Sequence, residues 1–261
     1  MRGRARCRAE RAGPCRLSLG AGARSGYHCG FHSARGDMRP CAGGLPLTTL
    51  ITPPIVSSLP TERPRVPTIT VGLRPHPTSP DAGEPGAGPV GRLLATMFAL
   101  PEGGAVFEFR LEDSRLGRIA IPDTQPPGPA DGLWEHTCFE VFLGVPGEPQ
   151  YREYNFSPSG QWAVYAFRAW RERDQDFAPA AAPEITCTQE DGTLVLEAWV
   201  PPELLPTVPA GSDLQVNLAA VIERKDGQFE YWTLRHVAAQ PDFHARDTFV
   251  LILATATHKK G

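Results

Sequence analysis

The chain has 261 residues, enough for one large domain or two small ones. Residues 1–66 carry eleven arginines against three acidic residues, a net charge of +8, whereas the rest carries 15 basic and 26 acidic residues, a net charge of −11. An acidic body argues against nucleic acid as a partner, because phosphate binding needs a basic surface, and without a run of about 18 apolar residues no membrane span is predicted.

The first 66 residues have the composition of an extension rather than of a folded domain. Gly, Ala, Arg and Ser dominate the beginning, and the apolar segment 45–60 is interrupted by Pro46, Pro53 and Pro54. Such a composition supports no packed core, so we predict a disordered extension over 1–66, a domain over 67–256 and a tail over 257–261. Coding sequence upstream of the true start fits the same composition, and the alternatives for the head are a transit peptide and a signal peptide.

The cysteines favour a reducing compartment. Four of the six lie in the head, at spacings that fit neither a paired zinc site nor a recognisable secreted scaffold. Cys138 and Cys187 fall in strand-like segments, where a lone cysteine usually behaves as a small buried hydrophobe. We therefore predict free thiols and a cytoplasmic protein, with a secreted or periplasmic location as the alternative.

From residue 68 onward the pattern changes to short strands separated by turns that contain Gly, Pro or Asp. Twelve strands are predicted, at 68–73, 93–100, 105–111, 116–121, 134–143, 151–156, 161–170, 184–188, 193–200, 214–222, 228–236 and 248–254. One helical turn is predicted at 202–205. Many short strands at even spacing indicate an all-β, antiparallel fold, which is either a two-sheet sandwich or a barrel.

The segment 134–143 contains the most informative alternation of side chains. Successive side chains of a strand point to opposite faces, so the apolar set that includes Phe139 and Val141 predicts the core face. Trp134, His136 and Glu140 then share the other, mixed face. A carboxylate among aromatic rings is costly to bury without a hydrogen bond. Glu140 should therefore either pair with Arg168 or His136 as an internal salt bridge, or line a wet cavity and orient a hydroxylated ligand.

Neither a metal site nor an enzyme signature stands out. His236, Asp242 and His244 lie within nine residues and could chelate a metal, but no fourth ligand accompanies them, so a turn capped by Asp242 is the favoured interpretation. The nucleotide-binding motifs G-x-G-x-x-G and G-x-x-x-x-G-K-[ST] are absent, as are the catalytic motifs G-x-S-x-G and H-E-x-x-H. We therefore predict a protein without catalytic activity and without a bound metal.

Several short segments resemble the DOMON-like family, which is related to the family 9 carbohydrate-binding modules. They are Leu133-Trp134, Thr137-Cys138-Phe139-Glu140, Tyr154-Asn155-Phe156-Ser157-Pro158, the residues Trp162, Tyr165 and Arg171, and Pro241-Asp242-Phe243-His244. The resemblance covers about residues 68–254 and is closest to small bacterial stand-alone members. It implies a β-sandwich that binds a sugar or a haem in a pocket on one sheet, and Trp134, Glu140, Tyr154 and Trp162 match its motif positions. The head has no counterpart in the family.

The favoured function is a non-catalytic module that binds a carbohydrate or a similar small polar ligand. Tryptophans would supply a platform for the sugar ring, and polar side chains would bind its hydroxyl groups. The predicted ligand-binding residues are Trp134, His136, Glu140, Tyr154, Asn155, Trp162, Arg168, Trp232 and His236. The alternatives are a haem-binding domain, with His136 or His236 and Met97 as candidate axial ligands, and a structural or interaction domain without a small ligand.

Overall fold

The computed structural model describes residues 67–79, 91–209 and 212–254, and the predicted extension over 1–66 lies outside these ranges. The described residues form a nearly all-β structure of two sheets that pack against each other. Its strands are β1 (Ile69–Gly72), β2 (Arg74–Pro75), β3 (Arg92–Ala99), β4 (Ala105–Glu112), β5 (Gly128–Pro129), β6 (Cys138–Gly144), β7 (Tyr151–Phe156), β8 (Gln161–Ala169), β9 (Glu172–Arg173), β10 (Glu184–Glu190), β11 (Thr193–Val200), β12 (Leu214–Glu223), β13 (Phe229–Thr233) and β14 (Leu251–Leu253). Short 3₁₀ helices occupy Leu116–Arg118, Leu133–Glu135, Pro202–Leu204 and Arg246–Thr248.

The smaller sheet has five strands in the order β1-β3-β4-β11-β10, and the larger sheet has the order β2-β13-β12-β6-β7-β8-β5. In addition, β14 pairs with β12 and β9 pairs with β8. All strand pairs are antiparallel except β5 with β8. The predicted antiparallel β-sandwich is therefore confirmed.

The two sheets enclose a core of apolar side chains. On β11 the alternate residues Leu194, Leu196, Ala198 and Val200 are buried in it, as the period of two predicts. Across the sandwich, Phe109 of β4 stacks on Phe139 of β6 with 5.1 Å between the ring centroids. The tight turn at Asp191 and Gly192, both with positive φ, joins β10 to β11 as a hairpin.

The larger sheet is also covered on part of its outer face. A second apolar cluster there includes Phe142 and Tyr151 of the sheet together with Phe243 and Phe249 of the C-terminal segment. Buried Asn217 donates to the Phe243 carbonyl over 3.1 Å, so the segment is hydrogen-bonded to the sheet. Because β6 has packed neighbours on both sides, all seven of its residues are buried.

Four predicted strands need correction. The strand predicted over 248–254 is the shorter β14, because Arg246–Thr248 form a 3₁₀ turn before it. The segment 116–121 is not a strand: it begins with a 3₁₀ turn, and Ile119 makes only an isolated bridge to Arg224. The strand predicted over 134–143 begins at Cys138, because Gly132 adopts a left-handed φ of 72° and a 3₁₀ turn follows it. The strand predicted over 228–236 is β13, which ends at Thr233. The helical turn predicted at 202–205 is confirmed at Pro202–Leu204.

Candidate functional site

A pocket of about 450 Å³ opens on the outer face of the larger sheet. Strands β6, β7, β8, β12 and β13 supply its floor, and the turn before β6, the β8–β9 turn and the C-terminal segment supply its rim. The pocket is lined by Trp134, Glu140, Glu153, Tyr165, Phe167, Arg171, Arg173, Val221, Tyr231, Pro241, Phe243 and His244.

Aromatic rings form one side of this pocket. Trp134 is 38% exposed, and its ring meets the edge of Tyr165 at a centroid distance of 5.7 Å. The guanidinium of Arg173 lies 3.9 Å from the centre of the Tyr165 ring, and the Tyr165 hydroxyl donates to Asp131. The 3₁₀ turn thus holds an indole at the pocket mouth, where one face of a ligand can pack on it.

Two buried carboxyl groups form the polar part of the floor. Glu140 on β6 lies opposite Asn155 on β7, and Phe142 lies opposite Glu153. Because residues two apart share a strand face, Glu140 and Glu153 are diagonal neighbours on the outer face. Their exposed fractions are 3% and 5%.

The two carboxyl groups differ in their hydrogen-bond partners. Asn155 donates from Nδ2 to Glu153 Oε1 over 2.7 Å and accepts from the Cys138 thiol over 3.6 Å. No described residue makes a hydrogen bond or an ion pair with the Glu140 side chain. Glu140 is therefore a buried acid that lines the pocket without a hydrogen-bond partner among the described residues.

A short hydrogen-bonded chain orients His244 toward Glu153. The backbone N–H of Arg171 donates to the Tyr151 hydroxyl over 3.0 Å, and that hydroxyl lies 2.8 Å from His244 Nδ1. If the hydroxyl donates its own proton to Nδ1, the ring proton stays on Nε2, which lies 3.6 Å from Glu153 Oε2.

Burial shifts the protonation of this cluster. Burial raises the pKa of Glu153 to about 7, against the hydrogen bond from Asn155 and the positive charges of Arg171 and Arg173. Burial and the neighbouring Glu153 raise the pKa of Glu140 well above its usual value. Burial and the charge of Arg171 lower the pKa of His244 to about 4. Near neutral pH the coupled pair of Glu140 and Glu153 thus retains a proton, and His244 is neutral.

Arg171 occupies a strained backbone position at the rim of the pocket. Its φ of 55° is in the left-handed region, which side chains other than glycine seldom adopt. The guanidinium donates to Asp242 over 2.9 Å, and the same carboxylate accepts from the exposed Trp170 indole over 3.1 Å. These contacts join the β8–β9 turn to the C-terminal segment.

Of the predicted ligand-binding residues, Trp134 and Glu140 line this pocket, and Asn155 lies beneath it as the partner of Glu153. The structure places Tyr154, Trp162 and Trp232 elsewhere, in the core between the sheets. Adjacent residues of a strand point to opposite faces, so Tyr154 and Asn155 do not share one surface. Trp162 on β8 and Trp232 on β13 likewise lie on the core face of their strands and not on the outer face that carries the pocket.

The remaining predicted residues lie outside the pocket. His136 follows the 3₁₀ turn and pairs with Glu223 over 2.8 Å, and His236 lies beyond β13 with Nε2 2.9 Å from the Arg74 carbonyl oxygen. Arg168 pairs with Asp174 over 2.7 Å and borders a second cavity of about 540 Å³. Neither proposed partner of Glu140 therefore reaches it. Met97, the candidate axial haem ligand, is buried in the core.

Several pocket residues were missing from the predicted set. Glu153 could have been predicted from the sequence, because it lies on the same face of β7 as the predicted site residue Asn155, two positions away. Tyr165, Arg171, Phe243 and His244 belong to the segments that resemble the DOMON-like family. Arg173 and Tyr231 depend on the strand pairing, which the sequence pattern does not specify.

The structure also bears on the metal, thiol and membrane questions. The described ranges contain no group of three or more His, Cys, Asp or Glu side chains that could hold a metal ion. His244 instead contacts Tyr151, and His236 contacts Arg74. Cys138 and Cys187 are free thiols, as predicted. Within the same ranges, no helix has the length and apolarity that crossing a bilayer requires.

Comparison with known proteins leaves the family open. No protein-family model matches the sequence. A search of curated proteins finds no significant match. Among solved structures, the chain is similar to the crystal structure of a proposed carbohydrate-binding protein from Bacteroides uniformis, with a TM-score of 0.47 and 12% identity, covering 67% of this chain and 83% of that one. The case for a function therefore rests on the pocket.

Proposed function

We propose that the protein is a binding module that holds a small carbohydrate or a similar hydroxylated ligand in the pocket of the larger sheet, without catalysis. One observation carries the proposal: Glu140 lines the pocket, is 3% exposed, and has no hydrogen-bond partner among the described residues. The Glu140 carboxyl is not among the fully buried, unpartnered polar groups of the described residues, so its oxygens are accessible from the pocket. A ligand hydroxyl can therefore bind to it in place of water.

The aromatic side of the pocket supports a ring-shaped ligand. Sugar recognition combines an aromatic face for the apolar side of the ring with fixed donors and acceptors for its hydroxyls. Trp134 is exposed enough to serve as that face, and Tyr165 supports it edge-on. The volume of about 450 Å³ falls within the usual range for small-ligand sites.

The polar groups supply complementary donors and acceptors. Arg171 and Arg173 present guanidinium donors, whereas Glu140 and Glu153 present carboxyl oxygens. The resemblance of the sequence to DOMON-like domains supports the same class of function, because it implies a sugar or haem pocket on one sheet.

A glycoside hydrolase is the main alternative, because two carboxyl groups line one pocket. Such an enzyme needs an acid and a base or nucleophile that flank the glycosidic bond. Glu140 and Glu153 instead come from adjacent strands and lie side by side in the floor of the pocket. Glu197 and Glu230 do not complete a catalytic pair with Glu140, since Glu197 is exposed on the smaller sheet and Glu230 is buried on the core face of β13.

Haem binding is less well supported by the geometry. A haem needs a deep apolar slot with one or two axial ligands aimed at its centre. His136, His236 and Met97 lie at separate places, and none of the three lines the pocket.

Calorimetric titration of the protein with a panel of mono- and disaccharides tests the proposal. Trp134→Ala and Glu140→Gln should each weaken binding by at least tenfold. The matched controls are Trp199→Ala and Glu197→Gln, which alter the outer face of the smaller sheet, and these should leave the affinity unchanged. The absence of binding to any sugar would refute the proposal and favour an interaction domain.

Two further measurements on the same preparation separate the alternatives. An absorption spectrum with a Soret band that survives dialysis would favour haem. Release of nitrophenol from nitrophenyl glycosides, lost in both Glu140→Gln and Glu153→Gln, would favour the hydrolase. We expect neither signal.

A further inference from the structure

We propose that the pocket selects a ligand that carries a protonated amine, such as an amino sugar, and that Glu140 and Glu153 together bind its ammonium group. The inference rests on the proposed function, because it names the class of ligand held in the same pocket. Three features of the pocket support the inference: the charges around the carboxyl pair, the hydrogen bonds that the pair can still accept, and the aromatic rings beside it.

Among the described residues, no arginine or lysine lies within ion-pair distance of either carboxyl group, and Arg171 and Arg173 act on the pair only from farther away. Arg171 donates to Asp242 over 2.9 Å, and Arg173 lies 3.8 Å from Asp131 while it covers the Tyr165 ring. Both guanidinium groups therefore already have an acidic partner outside the floor. A cation supplied by a ligand would balance the two carboxylates.

The hydrogen-bond capacity of the pair fits an ammonium group better than a hydroxyl. An ammonium offers three donors and a positive charge, whereas a hydroxyl offers one donor and no charge. Glu140 has no hydrogen-bond partner among the described residues, and Glu153 Oε1 accepts one bond from Asn155. Diagonal neighbours on adjacent strands place both groups within reach of one small cation.

Aromatic rings add to the preference for a cation. Arg173 already covers the Tyr165 ring, but Trp134, Tyr231 and Phe243 also line the pocket. A cation within about 6 Å of such a ring face is attracted by the ring's electron density. The same rings accommodate the carbon skeleton that carries the amine.

Ammonium binding should also displace protons. Without a cation the buried pair retains a proton near neutral pH, and a bound positive charge favours the doubly ionised form. The other charged or titratable groups around the pair are Cys138, Tyr151, Tyr165, Arg171, Arg173, Tyr231, His244, Asp131 and Asp242. Burial lowers the pKa of His244 and raises the pKa values of Cys138, Tyr151 and Tyr165, so these four do not supply protons at pH 6.5.

Calorimetric titration of the full chain with three matched pairs of sugars tests the inference. The pairs are glucosamine with glucose, galactosamine with galactose, and mannosamine with mannose, which differ in one amino group. We expect at least one amino sugar to bind tenfold or more tightly than its parent hexose. The titration is repeated at pH 6.5 in two buffers of different ionisation enthalpy, neither of which is a primary amine. The difference between the two binding enthalpies should show that a substantial fraction of a proton is released on binding. Glu140→Gln should reduce the tenfold preference to less than threefold, and Glu197→Gln should leave it intact.

The outcomes separate this inference from the proposed function. If parent hexoses bind as tightly as amino sugars and Trp134→Ala abolishes both, the binding function stands and the amine selectivity is wrong. If none of the six sugars binds, the amine selectivity is wrong, and the wider panel of mono- and disaccharides then decides whether the proposed function stands. If Glu140→Gln does not fold, Glu153→Gln serves as the second variant, and an unchanged amine preference in it would overturn the inference.

Discussion

Glu140 and Glu153 lie on adjacent antiparallel strands, offset by two residues, and both line the pocket of the larger sheet. The offset follows from the register, in which Glu140 lies opposite Asn155 and Glu153 opposite Phe142. Two carboxyl groups so close together in a buried site do not ionise independently. Their protonation therefore affects the stability of the fold as well as any ligand bound there.

The contribution of Glu153 to stability should fall as pH rises through its titration range. Its pKa rises from 4.5 to about 7 on folding, so the native state binds the proton more tightly than the unfolded chain does, and the stabilisation is present below pH 4.5 and lost as pH rises through 7. His244, whose pKa falls from 6.5 to about 4 on folding, contributes a rise over much of the same interval, so the quantity to follow is the difference in unfolding free energy between the wild type and Glu153→Gln. In urea unfolding this difference should fall by at most a few kcal/mol between pH 4.5 and 7, whereas the difference between the wild type and Glu197→Gln should stay constant. A difference between the wild type and Glu153→Gln that rises over this interval would contradict the assignment.

Cys138 should resist alkylation in the native protein. Burial, with smaller contributions from Glu140 and Glu153, raises the pKa of this thiol well above its usual value, and the residue is fully buried. A thiol reacts as the thiolate and needs access to the reagent. Iodoacetamide at pH 8, followed by peptide mass mapping, should modify Cys138 only after denaturation. Rapid labelling of native Cys138 would show that the pocket floor opens to solvent.

The backbone at Arg171 should tolerate glycine better than a β-branched residue. Its φ of 55° costs a side-chain-bearing residue roughly 1–2 kcal/mol, which glycine avoids. Arg171→Gly should therefore be more stable than Arg171→Val by at least about that amount, although both lose the guanidinium that lines the pocket. Thermal unfolding of the two variants measures the difference. Equal stabilities would mean that the turn adopts another backbone conformation.

Phe139→Ala should be one of the more damaging substitutions in the sandwich. Phe139 is fully buried and stacks on Phe109, so the change leaves a cavity between the two sheets. Such truncations typically cost about 3–5 kcal/mol. Equilibrium unfolding in urea gives the value, with Val250→Ala as a surface control because Val250 is 49% exposed. We expect that control to change stability by less than about 0.5 kcal/mol.

The prediction of the strands succeeded where one face is polar and the other apolar. On β11, leucines alternate with Thr193 and Glu197, so the core face could be identified before the structure was known. On β8 the order is Trp162, Ala163, Val164, Tyr165, and both faces are apolar. The alternation alone does not say which of these faces the opposite sheet covers. Trp162 was included in the predicted site because it matches a motif position of the family that the sequence resembles and could serve as an aromatic platform, but it belongs to the core.

Turn geometry explains why Trp134 lines the pocket and His136 does not. The prediction grouped both with Glu140 because alternate residues of one strand share a face. The strand begins only at Cys138, and the preceding residues form a 3₁₀ turn. Trp134 reaches the pocket by packing against Tyr165, whereas His136 pairs with Glu223.

The sequence by itself determined the all-β class, most of the strands, the free thiols Cys138 and Cys187, and the position of Glu140 on the strand face opposite Phe139 and Val141. These features depend on the alternation of polar and apolar residues along each strand and on the residues of the turns, and both involve only residues that are close together in the sequence. The tertiary structure decided which face of the larger sheet became the pocket, and it placed Glu153, Arg171 and His244 around that carboxyl group. Strand order, register and the path of the C-terminal segment arise from contacts between residues far apart in sequence. A pattern with a period of two residues describes the faces of each strand but carries no information about those contacts.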